Sequence, residues 1–188
     1  MDYQNYDVLC IGIPKSGTNA TVLACSLLGA KPSPHMHTAN YLLAGKHKVA
    51  YVYRNPRNVL ISAQRYQNHQ MRGWEDTITE EKLIDQFFDF FNASMPAVYR
   101  AYEKWFSTKA FCFKYEHLFQ VSPENQATFD SLADYLGKPG KKWVRDQIIS
   151  KTPTWTGKQS NWQDHWSEGL ERIWRNEGMI EIEKSLGY

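Results

Sequence analysis

A short apolar run that passes without a break into a glycine-punctuated loop, and from there into a helix, constrains this chain more than any other feature. Val8-Leu-Cys-Ile-Gly-Ile13 is continuous in its apolar character, the pattern of a strand buried on both faces of a parallel sheet. Pro14-Lys-Ser-Gly17 follows directly. From Thr18, Val22, Leu23, Leu27 and Leu28 keep helical spacing, and Gly29 stands where a C-terminal cap belongs. A strand that turns at once into a helix offers backbone N–H groups and a helix N-terminus to an anion.

The remaining pattern repeats this alternation. Val49-Ala-Tyr-Val-Tyr53 and Ala110 to Tyr115 read as a second and a third strand, with one short strand near Pro34 to His37 in the irregular stretch 31–48. Asn55-Pro56 supplies an N-cap and a first-turn proline for a helix over about 56–69. Glu80 to Phe106 carries Leu83, Ile84, Phe87, Phe88, Phe91, Met95, Val98 and Tyr102 at helical spacings, and this stripe reads as core. Pro96 is expected to kink or divide it. Ser122-Pro123 opens a helix ending near Gly137, 141–150 a short one, and 151–166 a Trp- and Thr-rich loop before a final helix to Leu186. Strands alternating with helices predict an α/β fold with a parallel sheet and right-handed crossovers. Without a repeat or linker, residues 1–188 are expected to form a single domain.

Composition narrows the class. The formal charge of +2 gives no general case for nucleic acid or an anionic membrane as partner. The longest uncharged stretch, Ser16 to Ala30, falls short of the ~18–20 apolar residues that span a bilayer. No signal-peptide pattern opens the chain. Cys10, Cys25 and Cys112 are odd in number and form no CxxC pair, so the expectation is reduced core cysteines in a cytoplasmic protein.

Gly12-Ile-Pro-Lys-Ser-Gly-Thr-Asn19 has nearly the spacing of a phosphate-binding GxxxxGK[ST] loop, but departs from it at the decisive place. Thr18 and Asn19 stand where lysine and a magnesium-holding hydroxyl belong, and the lysine lies inside the loop at 15. The second strand ends in Arg54 rather than a metal-binding aspartate. Two cations without a metal carboxylate suit an anionic group handled without a divalent metal. No metal site is expected, and His35 with His37 is not a metal motif, since no Cys or carboxylate cluster accompanies the pair.

Arg54 sits at the carboxyl end of a strand, where open α/β sheets bind ligands, and Ser62 follows about two helical turns later. Here Pro14-Lys-Ser-Gly-Thr18 followed by Arg54-Asn-Pro-Arg-Asn-Val-Leu-Ile-Ser62 resembles the sulfotransferases that use 3′-phosphoadenosine 5′-phosphosulfate (PAPS). Lys114-Tyr-Glu-His-Leu118 and Gly157-Lys-Gln-Ser-Asn-Trp162, with the closing Leu186-Gly-Tyr188, resemble later motifs of the same family, in the same order. The resemblance implies a three-layer α/β/α fold with a central parallel sheet, related to P-loop NTPases. It implies PAPS as cofactor, adenosine 3′,5′-bisphosphate (PAP) as product, and no metal. The loop Lys15, Ser16, Gly17, Thr18 and Asn19 would grip the 5′-phosphosulfate, Arg54 and Ser62 the 3′-phosphate, and Tyr115, Gly157 and Lys158 would lie about the nucleotide.

Sulfuryl transfer to a hydroxyl calls for charge stabilisation at the leaving oxygen, for which Lys15 is suited, and for a base working near neutral pH. The family's histidine lies between the two donor motifs, which makes His37 the first candidate and His35 the second. Two departures stand out. Ala20 replaces the family's adenine-stacking tryptophan, and Trp155-Thr156 replaces an Arg-Lys pair before Gly157. Lys158 or Lys151 could supply the lost cation, and Trp155 could stack on adenine. The acceptor, a small molecule or a glycan, is not legible, and neither is the oligomeric state. A P-loop kinase and a non-catalytic nucleotide-binding member of the family are the alternative readings.

Overall fold

A computed structural model describes residues 3–72, 77–118, 123–138 and 161–188. Its strands are β1 (Leu9–Gly12), β2 (Val49–Tyr53) and β3 (Phe111–Lys114). Its helices are α1 (Thr18–Leu27), α2 (Pro56–Arg72), α3 (Glu80–Phe88), α4 (Met95–Glu103), α5 (Pro123–Leu136), α6 (Glu168–Asn176) and α7 (Met179–Ser185). They fall into two compact units, 1–54 with 102–158, and 55–101 with 159–188.

In the first unit the strands pair in parallel in the order β1-β2-β3, with Ile11 beside Tyr51 and Tyr51 beside Cys112. Side chains alternate across the sheet. Val8, Cys10, Ala50, Val52 and Phe113 join Ala20, Ala24 and Cys25 of α1, Leu28 just after it, and Phe129, Leu132 and Leu136 of α5 in one core. On the other face Tyr51 meets Tyr102, Trp105 and Phe106. The expected strand at 34–37 is realised as one parallel bridge from Ile11 of β1 to Met36, with a second just before it from Val8 to Pro32. Met36 donates its N–H to the Cys10 carbonyl and accepts from the N–H of Gly12, so this segment runs alongside β1 toward its carboxyl end. The three cysteines are free thiols, Cys10 and Cys25 buried and Cys112 half-buried.

The second unit is organised by Arg57, whose guanidinium is almost fully buried. Its Nη1 lies 2.6 Å from Glu171 Oε2 and its Nε 2.8 Å from Glu183 Oε1. The guanidinium carbon stands 4.4 Å from the ring centre of Trp162 and 4.6 Å from that of Trp166. Two carboxylates and aromatic faces thus compensate a charge that would be costly to bury alone.

Two expectations for this unit need correction. The long helical stripe does break, but at Asp89–Ser94, where Phe91 and Asn92 take left-handed backbone angles. Pro96 instead sits in the first turn of α4, where a missing N–H costs nothing. Phe88 and Phe91 of the stripe are exposed, whereas Leu83, Phe87 and Met95 are buried. The single final helix is two helices, α6 and α7, parted by Gly178 at φ +76°.

Candidate active site

The strand-to-helix turn of the first unit is built for backbone exposure. Lys15 adopts φ +68° and Gly17 φ +106°, so the chain reverses within four residues. A side chain at Gly17 would strike the ring of Tyr115 as well as suffer the left-handed backbone. The first bond of α1 runs from Thr21 N–H to Gly17 O, which leaves the N–H groups of the first turn unused by the helix. No side chain caps this end. An uncapped helix start with a positive partial charge is a receptor for an anion.

Ser16 is spent on the loop itself. Its hydroxyl donates to the Val52 carbonyl at 3.1 Å and its N–H to Ile13 O, and the residue is buried. Thr18 is also buried, while Gly17 and Asn19 are half-buried.

Arg54 reaches from the end of β2 to the same loop. Its Nη1 donates to the Lys15 carbonyl at 3.4 Å, and the guanidinium lies over the Tyr115 ring, 4.5 Å from its centre. Arg54 Nε is buried without a hydrogen-bond partner among the described residues. Burial, and secondarily the charge of Arg54, push the Lys15 ammonium down to about 8. The charge of Arg54 thus disfavours the charged form of Lys15 in a partly desolvated turn, and an anion bound there would relieve that repulsion.

His37 follows Met36 along the edge of β1. Its Nδ1 donates to the carbonyl oxygen of Gly12 at 2.7 Å, and a carbonyl can only accept, so in the neutral ring Nε2 carries the lone pair. The residue as a whole is exposed, yet desolvation of the ring is the largest influence on its pKa. The Gly12 bond works the other way, and with the charges of His35 and Lys15 added the net direction is down. The ring is therefore neutral, and basic at Nε2, at physiological pH. His35 is exposed, its ring 5.5 Å from that of His37. Trp105 Nε1 donates to the Thr38 carbonyl and fixes the segment behind the histidine, a contact no sequence pattern announced.

Ser62 belongs to α2 in the second unit, half-buried. Gly157 and Lys158 lie outside the described residues, as do Lys151 and Trp155. His117 bonds Thr128 through Nδ1, and His47 packs edge-on to Tyr3. Among the described residues no cluster of three or more His, Cys, Asp or Glu could hold a metal, and no helix is long and apolar enough to cross a membrane.

The sulfotransferase domain family model matches residues 30–175. That span includes His35, His37, Arg54, Ser62 and Tyr115 but begins after the loop at 12–19. Mouse sulfotransferase SULT7A1, solved in complex with PAP, is similar in structure at a TM-score of 0.70 and 14% identity, over 97% of this chain and 85% of that one. This likeness shows the fold, a three-layer α/β architecture of the P-loop-like kind. No curated protein matches the chain in sequence. With the family model spanning most of its length, the chain belongs to the sulfotransferase family.

Proposed function

We propose that this protein transfers a sulfuryl group from PAPS to a hydroxyl or amine of a small-molecule or glycan acceptor, without a metal, and that residues 1–188 act as one catalytic domain. The observation that carries the reading is the pairing of Lys15 and Arg54 about the uncapped start of α1, with Arg54 Nε buried and unpartnered. These groups fit an anion in number and charge. The neighbouring Tyr115 ring, packed against Gly17 and beneath Arg54, fits a nucleotide bound over the same turn. The PAP bound by SULT7A1 supports the same cofactor here.

When bound, the donor supplies a sulfuryl group on a phosphate oxygen. Lys15 and the N–H groups at the start of α1 hold the 5′ end and take up the charge left on that oxygen as its bond to sulfur breaks. Arg54 and Ser62 are read, from their motif, as ligands of the 3′-phosphate. His37 Nε2 accepts the proton of the acceptor hydroxyl as its oxygen bonds to sulfur, while Nδ1–H stays anchored on Gly12. His35 is the second candidate for this task.

Transfer of labelled sulfate from PAPS to a panel of phenols, alcohols and glycans, run in EDTA, tests the reading. Labelled product formed by the parent protein and lost in Lys15→Ala is the expected result. Tight binding of Mg-ATP without binding of PAP would turn the assignment toward a kinase. Tight PAP binding with no transfer to any acceptor would turn it toward a binding protein.

A further inference from the structure

His37 is an exposed residue in an irregular stretch, yet a reacting group misplaced by about 1 Å loses much of its effect. The chain on its N-terminal side is tied to the sheet, where Met36 donates to the Cys10 carbonyl and accepts from the Gly12 N–H. Among the described residues, strand pairing along this edge stops at Met36. The carbonyl of Thr38, one residue beyond the histidine, instead accepts from Trp105 Nε1 at 3.2 Å. Trp105 is fully buried. Its indole is stacked 6.0 Å from the ring of Tyr51 in β2 and meets Tyr41 edge-on at 5.3 Å. An indole has one donor and no acceptor, and that donor is spent on Thr38. Tyr41 opens the short turn Tyr41–Gly45, so one buried side chain holds the segment at two points just beyond the histidine. All of these residues belong to the first unit.

The bond from Nδ1 to Gly12 fixes a single point of the ring and leaves the backbone behind it free to swing. A tether at Thr38 removes that freedom. We infer that Trp105 is a positioning residue for the base, its N–H on Thr38 acting with the Gly12 carbonyl to fix where His37 Nε2 points. The inference rests on the proposed reading of His37 as the base. The ring faces the Gly12 carbonyl, His35 and Lys15, and burial heads the influences that hold its pKa below 6.5. A segment released from the indole gives up that burial, and the pKa rises toward 6.5.

The test follows the His37 Cε1–H resonance by NMR through a pH titration of the parent protein, Trp105→Phe and Phe106→Leu. Phenylalanine at 105 keeps a ring in the cluster and removes the donor. Phe106→Leu trims the same cluster, where Phe106 lies edge-on to Tyr51 at 5.5 Å, and leaves the tether intact. The midpoint should rise in Trp105→Phe and stay at the parent's value in Phe106→Leu. An unmoved midpoint in Trp105→Phe, or an equal rise in both, would overturn the inference. In labelled-sulfate transfer Trp105→Phe should lower kcat by roughly ten- to a hundredfold with PAP affinity unchanged. Added to His37→Asn, it should cost nothing further. An equal loss in both backgrounds would overturn the inference while leaving His37 as the base. A His37→Asn variant with the parent's kcat would overturn the reading of His37 as base, and the inference with it, even where the titration comes out as expected. Where Trp105→Phe does not fold, Tyr41→Ala removes the ring resting on the indole. It should show the same rise in smaller measure, and no rise counts against the inference.

Discussion

His37 donates its Nδ1–H to the carbonyl oxygen of Gly12 across 2.7 Å, so the residue that opens the anion loop also orients the ring read as the base. The tautomer follows from the acceptor-only carbonyl, and burial keeps the ring neutral. Asparagine can mimic the anchored N–H but has no basic nitrogen. His37→Asn is therefore expected to lower kcat by roughly 10²–10⁴-fold with little change in PAP affinity. In the parent, kcat/KM should rise with pH along a limb lying below the ordinary histidine value of 6.5, because the ring must be unprotonated. That limb should vanish in the variant.

Gly12 tolerates no side chain. A Cβ there would stand 2.5 Å from Ser16 Oγ and 2.8 Å from both Thr18 Cγ2 and the Val52 carbonyl oxygen. The last of these is backbone in the middle strand and cannot yield cheaply. Gly12→Ala should destabilise the protein by about 1–3 kcal/mol, read from denaturant unfolding, and raise the KM for PAPS by shifting the loop. Gly29→Ala is the control for backbone angle alone, since its φ is +82° but nothing lies near its Cβ. It should destabilise the fold without touching KM.

Lys15 gives the opposite pH limb. Its ammonium is held down at about 8 by burial and by Arg54, and a bound anion favours the charged form, so the bound-state pKa is higher than the free one. Affinity for PAP should therefore be full below pH 8 and fall as pH rises through it. Calorimetry at pH 8.5 in buffers of different ionisation enthalpy should register net proton uptake on binding, and Lys15→Ala should abolish that uptake. Together with the His37 limb, the kcat/KM profile of the parent should be a bell.

The positions of β1, the loop and α1 were legible because local signals agree there: an apolar run, two glycines and a helical repeat all specify the same turn. Arg54 was legible for the same reason, as the residue at a strand's end. What the sequence could not disclose depends on partners far along the chain. Pro96 reads as a helix breaker by its chemistry, but whether it breaks or begins a helix is decided at Phe91 and Asn92, where positive φ suits the asparagine and is foreign to the phenylalanine. The roles of His37 and Ser16 turn on Gly12 and Val52, contacts made through strand pairing that periodicity does not encode. Arg57 stands inside the recognised motif, yet its carboxylate partners lie more than a hundred positions later, and no local pattern names them.

Arg57 accordingly sets the largest stability effect to be expected in the second unit. It is buried against Glu183 and Glu171, with Trp162, Trp166 and Trp174 around the guanidinium. Removing it leaves two carboxylates facing aromatic rings, so Arg57→Ala should cost about 3–5 kcal/mol in denaturant unfolding. The same cluster fixes an acid response. Burial alone would raise the Glu171 carboxyl, but hydrogen bonds from Arg57, Trp166 and Arg175 outweigh it, and the folded-state pKa lies below the ordinary value of 4.5. A carboxylate with a depressed folded pKa contributes stability that is present above its unfolded pKa and lost as pH falls through the folded one. Unfolding free energy should thus hold from neutral pH down to about 4.5 and decline below it. Glu171→Gln should start lower at neutral pH and decline less steeply in acid, and a parallel decline in both proteins would remove Glu171 from the account.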